Sequence, residues 1–392
     1  MAAVPPGRAA PLSHAEGLAR IRLLRSARIG PVTFHQLLRQ FGTAEAALAA
    51  LPELAARGGL GRAGAQNYRP AAQGAIEAEI AATRRAGGRY LFHDSPDYPP
   101  LLRLADGAPP VLVARGDVRR AQGAAVALVG ARDASGAARF LAREWGQKLA
   151  EMGFPVVSGL ARGVDAAAHE GALAAATGAG TVAVVAGGVD VAYPPEHADL
   201  QARIAAEGLL LSEAPCGTQP TNRHFPARNR IIAGLAAGTV VVEAALRSGS
   251  LITARMAAEY GREVMAVPGS PLDARSHGTN TMIREGAILV QRVDDIAELL
   301  SHFDGQVHSR FAPERLRAAA AEAELPLAPA QAEAGADLAG RIAALLSPAP
   351  LPVDELVRQS GEAAASVQMA LIELELAGRL QRHAGGKVSC QP

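Results

Sequence analysis

Residues 126–165 read VALVGARDASGAARFLAREWGQKLAEMGFPVVSGLARGVD. A short apolar run, VALV, breaks at Gly130, and a helical pattern, AARFLAREWGQKLAEMG, follows it. A second apolar run, PVV, then breaks at Ser158-Gly159. Apolar runs without alternation mark strands covered on both faces, and a helix between two of them is the crossover of a parallel sheet. The texture recurs on both sides: RYLFHD, PVLVARG, TVAVVAGG, GLLLSEA, GTVVVEA, EVMAVPG and AILVQ are further apolar runs, with helical stretches such as DAAAHEGALAAA between several of them. The pattern predicts an α/β fold built on a parallel sheet with helices on both faces.

Working outward, residues 1–84 read as an N-terminal helical domain behind a Pro/Ala-rich start, with Gly30-Pro31 and Gly42-Thr43 as its punctuation. The sheet region is placed at 85–303. Residues 304–336 have the Ala, Pro and charge content of a linker. Residues 337–392 contain three helix candidates at 338–346, 353–359 and 366–377, then GRLQRHAGGKVS with Gly385-Gly386 as a hairpin turn. Helix, helix, helix and a two-stranded wing are the outline of a winged helix-turn-helix.

The totals limit the function classes. The chain has 392 residues, 49% of them apolar, enough for more than one core. A formal charge of +1 does not announce a nucleic-acid binder, so any such role rests on local patches. Cys216 and Cys390 are the only cysteines, too few for a disulfide framework or a metal cluster, which predicts a cytoplasmic protein. No signal-peptide core and no membrane-length apolar run is present.

In an open parallel sheet, ligands sit beyond the carboxyl ends of the strands. Those ends deliver GARDASG, SGLARGVD, GGVDVAYPPEH, SEAPCG, EAALRSGSLITA and PGSPLDARSHGTN. Glycine lets backbone N–H groups approach an anion, helix N-termini add their dipole, and arginine offers a fork that matches phosphate. One glycine-rich loop is ordinary turn chemistry; five converging loops indicate a phosphate-binding surface. The dinucleotide fingerprint GxGxxG is missing, Arg132 standing where a small residue would be needed, and so is the hydrolase elbow GxSxG. His169, inside an alanine-rich stretch, reads as a packing residue rather than a base.

The stretch FPARNRII at 225–232 is a cationic knot, and no acidic residue lies between Gln219 and Ile232. Arginines that neutralise phosphates beside a ring that stacks on bases are what single-stranded nucleic acid requires, at about 1–3 kcal/mol per stacked base. Arg223, Phe225, Arg228 and Arg230 supply this in eight residues. The plainer alternative buries Phe225 and pairs the arginines with Glu213 or Glu243.

VGAR, SGLARGVDAAAH, GGVDVAYPPEH, LLSEAP, FPARNRIIAGL, VVVEAALRSGSLITA, VPGS and GTNTMIREGA occur in the order found in the DNA-processing protein A family (DprA/Smf), which residues 85 to 300 resemble. The resemblance implies an extended Rossmann-like fold in a bacterial, cytoplasmic, dimeric protein without catalytic activity, cofactor or metal. It implies a protein that binds and protects incoming single-stranded DNA and loads RecA in natural transformation and recombination. Carried onto this chain, the DNA-binding positions are Gly130, Arg132, Ser158, Gly159, Arg162, Gly163, Phe225, Arg228, Asn229, Arg230, Ser248, Gly249 and Ser250. Arg132, Arg162, Arg228 and Arg230 are expected on phosphates, Phe225 on a base, and the Gly and Ser backbones around the anion. Ala131 stands where many relatives carry Ser or Thr, and His197 where Asn is common.

The flanking domains carry weaker signals. The N-terminal segment resembles a helix-hairpin-helix or sterile-alpha-motif element, and its few cations favour a helical cap over a duplex grip. The last winged-domain helix contains Glu373 and Glu375 and no Lys or Arg, so protein contact suits it better than base reading. A competing class is the Rossmann-like hydrolase of nucleoside monophosphates, although its PGGxGTxxE signature is absent and Glu243 beside SGS is the nearest piece. A third is a pure interaction protein working through the winged domain.

Overall fold

The structure is a computed structural model and describes residues 12–56, 70–301, 311 and 337–391. The expected linker and the first eleven residues therefore lie outside the described residues, save Phe311 in the linker. Four helices open the chain: α1 (His14–Arg25), α2 (Pro31–Phe41), α3 (Ala44–Ala56) and α4 (Gln73–Arg85). Ser13 caps α1 by accepting from Glu16 N, and Pro31 occupies the first turn of α2, where its missing N–H costs nothing. The Glu16 carboxylate in turn accepts from Ala44 N and Glu45 N, so α1 caps α3. Leu23, Phe34, Leu37 and Leu51 fill the small core between these helices.

The central sheet has nine strands: β1 (Arg89–Phe92), β2 (Val111–Gly116), β3 (Val126–Val129), β4 (Val156–Ser158), β5 (Thr181–Val184), β6 (Leu209–Ser212), β7 (Gly238–Val241), β8 (Glu263–Ala266) and β9 (Ile288–Leu289). Their order is β1-β2-β6-β5-β4-β3-β7-β8-β9. All pairs from β6 to β9 are parallel, but β1 with β2 and β2 with β6 are antiparallel, so the sheet is mixed rather than wholly parallel.

The connecting helices include α5 (Pro100–Arg103), α6 (Gly136–Glu151), α7 (Val164–Ala174), α8 (Ala198–Glu207), α9 (His224–Leu235), α10 (Ser250–Glu259), α11 (His277–Arg284) and α12 (Val293–Ser301). Separate buried clusters line the two faces: Ile231, Leu235 and Leu251 on one, Trp145, Leu149 and Val164 on the other. Strand order runs outward from β3 in both directions, through β4 one way and β7 the other. The carboxyl ends of β3 and β7 thus form the switch point at which such sheets open a crevice.

The chain ends in a winged helix: α13 (Leu338–Leu345), β10 (Leu351–Pro352), α14 (Val353–Ser360), α15 (Ala364–Leu376), β11 (Leu380–His383) and β12 (Lys387–Cys390). The small sheet is ordered β10-β12-β11. The hairpin turns through Gly385 and Gly386, both at positive φ, with His383 opposite Lys387. Sequence periodicity located these helices; β10, two residues long, carried no periodic signal.

Candidate nucleic-acid interface

The loop after β3 and the loop after β7 meet at the switch point. Ala131 N donates to Glu243 O at 2.7 Å, and the Glu243 carboxylate accepts from Ser135 N (2.9 Å) and Ser135 Oγ (2.6 Å). Burial pushes the Glu243 carboxyl above its usual range, and these two donors oppose the shift. The carboxylate therefore serves the loop and not a ligand.

Two adjoining clefts open beside this junction. The first, about 380 Å³, is lined by Arg132, Gly159, Arg162, Tyr193, Phe225 and Arg228 among others. The second, about 350 Å³, is lined by Gly130, Arg132, Asp165, Phe225, Arg228, Asn229, Arg247, Ser248, Gly249, Ser250 and Arg275 among others. Arg132, Asp133, Ala161, Phe225 and Arg228 belong to both and mark the ridge between the clefts.

FPARNR is not a loop. It forms the first turns of α9, whose first turn carries no acidic side chain. Phe225, Arg228, Asn229 and Ile232 recur at i, i+3, i+4 and i+7 and share one face, the face that lines the second cleft. Arg230, two residues beyond Arg228, is turned some 200° away. It binds Gly107 O (2.6 Å) and Glu213 (2.5 Å) and lines neither cleft. The expectation of Arg230 on a phosphate therefore meets an ion pair that already occupies its guanidinium.

Arg228 is only 6% exposed. Its Nη1 donates to Gly159 O and to Val184 O (3.0 Å), and its Nε has no partner. Burial pulls the guanidinium down to about 10, against the pull of the neighbouring Asp165 carboxylate. Asp165, itself pushed upward by burial, accepts from Gly159 N at 3.1 Å. Gly159 is bare for a reason: a Cβ there would overlap the Arg228 guanidinium. Arg228 is thus the cationic floor of the clefts rather than a free arm.

Arg132 is the free arm. It is exposed, makes no ion pair among the described residues, and lies over the Phe225 ring at 5.0 Å. Arg228 also approaches that ring, at 6.0 Å, and Tyr193 stands 5.7 Å away. Arg162 pairs with Glu196 at the rim of the first cleft, which holds that carboxyl below its usual range. Ser248 and Ser250 bond through their hydroxyls at 2.8 Å, with Gly249 between them, at the start of α10. Asn229 donates to Gly249 O at 3.4 Å.

Two expected positions serve the fold's own packing. The Ser158 hydroxyl is fully buried and donates to Leu128 O at 2.6 Å. Gly163, at φ 76°, packs against the backbone of residues 131 and 132. His169 is the packing residue it resembled: fully buried, bonded through Nδ1 to Thr181 Oγ1 at 2.7 Å, and pulled down to about 3 by burial.

The sequence reading passed over Tyr193, Asp165, Arg247 and Arg275. Arg247 is exposed, without an ion pair among the described residues, and immediately precedes Ser248, so its place before SGS was a usable signal. The other three stand inside strand-end runs quoted above, Asp165 six residues from the Gly159 it bonds, but Tyr193 and Arg275 are far in sequence from the α9 residues beside them. Among the described residues no group of His, Cys, Asp and Glu is arranged to hold a metal, and no helix is long and apolar enough to cross a membrane.

The architecture defines a class: an extended Rossmann-like core with a glycine-rich, arginine-lined rim, carrying a helical domain before it and a winged helix behind. Comparison with known proteins narrows this. The profile described as "DNA recombination-mediator protein A" matches residues 89–301, "DprA-like N-terminal HHH domain" matches 14–82, and "DprA winged helix domain" matches 326–386. The chain is 35% identical over 330 residues to Protein Smf of Escherichia coli, covering 83% of each chain. It is 38% identical over 307 residues to a putative DNA processing protein DprA of Mycobacterium tuberculosis, covering 75% of each. The crystal structure of DNA processing protein A from Streptococcus pneumoniae superposes with a TM-score of 0.61 at 34% identity, covering 72% of this chain and 97% of that one. The chain belongs to the DNA recombination-mediator protein A family.

Proposed function

We propose that this protein binds single-stranded DNA across the two clefts, without chemical conversion of it, and that it protects incoming DNA and loads RecA onto it as a cytoplasmic homodimer. The observation that carries the DNA-binding part is the ridge itself: one face of α9 presents Phe225, Arg228 and Asn229 where exposed Arg132 lines both clefts and exposed Arg247 the second. Guanidinium forks neutralise phosphates, bare glycine and serine backbones complete an anion site, and half-buried Tyr193 offers base-stacking surface, with Phe225, only 8% exposed as the plainer alternative had it, adding the small part of its ring left open. Protection, RecA loading and dimerisation rest on membership of the family and on the resemblance described above.

A mobility shift with single- and double-stranded DNA of equal length, titrated with salt, tests the binding. The expected result is preference for the single strand, with affinity falling steeply as salt rises. Equal, salt-insensitive binding of both forms would remove the proposal. Two of the nearby carboxylates count against the hydrolase alternative, since Glu243 is held by Ser135 and Glu213 by Arg230; Asp133 lines both clefts and is the carboxylate that alternative would use. Incubation with nucleoside monophosphates should release no free base.

A further inference from the structure

The winged helix is seated on the rim that holds the proposed DNA path. Gln359 of α14 donates to Gly136 O at 3.0 Å, and Arg358 lies 3.8 Å from Glu170 of α7. Arg275, in the loop after β8, is gripped by Asp273 and donates to Leu346 O (2.9 Å) and Ala344 O (3.3 Å) at the end of α13. The same Arg275 lines the second cleft beside Arg132, Arg228 and Arg247.

Gly136 tells the same story from the other side. It is the last glycine of GARDASG, where sequence logic places backbone approach to phosphate. A Cβ at this position would instead meet the Leu351 side chain, Leu345 O at 3.0 Å and Gln359 Oε1 at 3.4 Å. All three belong to the winged helix. This glycine is bare so that the second domain can dock.

We propose that the docked winged helix closes one end of the DNA path, and that Arg275 exchanges the carbonyls of Ala344 and Leu346 for phosphate when the domain lifts off. The inference rests on the single-stranded DNA reading above and adds regulation to the same site. Charged acceptors hold a guanidinium more strongly than neutral carbonyls do, so a strand long enough to reach Arg275 competes with the domain for one set of donors. A strand confined to the first cleft does not.

The test uses the full chain with a dye pair at Lys148→Cys and Glu373→Cys, both exposed, after Cys216 and Cys390 are replaced by serine. A long oligo-dT should lower energy transfer between α6 and α15, and an oligonucleotide confined to the first cleft should leave it high. Gly136→Ala should show low transfer without DNA and bind the long strand at least about threefold more tightly, because the binding-competent fraction no longer limits affinity. Adding Arg275→Ala to Gly136→Ala should then remove about one phosphate from the salt dependence. If Gly136→Ala fails to fold, Gln359→Ala repeats the test from the winged side. High transfer in the DNA-bound protein, with equal affinity of parent and variant, overturns the inference and leaves DNA binding standing. Absence of binding by both proteins overturns the DNA reading and this inference together.

Discussion

Arg132 lies across the face of Phe225 with its guanidinium carbon 5.0 Å from the ring centroid, while Arg228 approaches the same ring from within the fold at 6.0 Å. One ring is therefore approached by both an exposed cation and a buried one. The two arginines, both expected on phosphates, answer to different experiments.

Arg132→Ala removes an exposed charge whose present contact is a cation–π pair worth about 0.5–1 kcal/mol. Folding stability should change little. The slope of log affinity against log salt for oligo-dT should fall by about 0.7, the share of one phosphate on a single strand. Fluorescence anisotropy at several salt concentrations reads both numbers, and an unchanged slope would place Arg132 off the DNA.

Arg228→Ala leaves Asp165 buried without its cationic neighbour and Gly159 O without its donor. Stability should drop by about 1.5–3 kcal/mol for each of the two carbonyl bonds lost, the range for hydrogen bonds to a charged group. Urea denaturation measures it. Gly159→Ala should act in the same direction, since its methyl group displaces the guanidinium.

Arg230→Ala should separate stability from binding. It removes an ion pair to Glu213 and a bond to Gly107 O, a loss of about 1–3 kcal/mol. Its guanidinium reaches neither cleft, so the salt slope for oligo-dT should match the parent. A slope lowered by a full phosphate would show that Arg230 leaves Glu213 to grip DNA.

Acid should destabilise the fold through His169. Its folded-state pKa is pulled by burial to about 3, below the ordinary value of 6.5. The unfolded chain therefore binds the extra proton first. The contribution is complete above pH 6.5 and is lost as pH falls from there towards 3, at up to about 1.4 kcal/mol per pH unit. Burial also lowers His35 and His93, so part of the slope persists without His169. His169→Gln should flatten the melting-temperature profile between pH 7.5 and 5; an unchanged profile would assign the slope to other groups.

Phe225→Leu keeps an apolar side chain in the ridge and removes the aromatic face. Binding should weaken by about 1–3 kcal/mol per base lost from the ring, with the salt slope unaltered. The contrast with Arg132→Ala distinguishes stacking from charge.

The sequence by itself determined the alternation of apolar runs and helices, hence an α/β core between two smaller helical units, and it placed glycine and arginine at the strand ends. These are local properties, written in periodicity and in the few residues that permit tight turns. Tertiary structure alone decided which arginines face the clefts. A helix turns 100° per residue, so FPARNR, uniform as a string, divides Arg228 from Arg230 once it winds into α9. What each then meets, Gly159 and Val184 for one, Gly107 and Glu213 for the other, comes from segments about 17 to 123 residues away that strand order brings to the same edge. Gly136 followed the same rule: the sequence placed a glycine at the end of GARDASG without singling it out, and only the packing of the winged helix showed what its bareness admits.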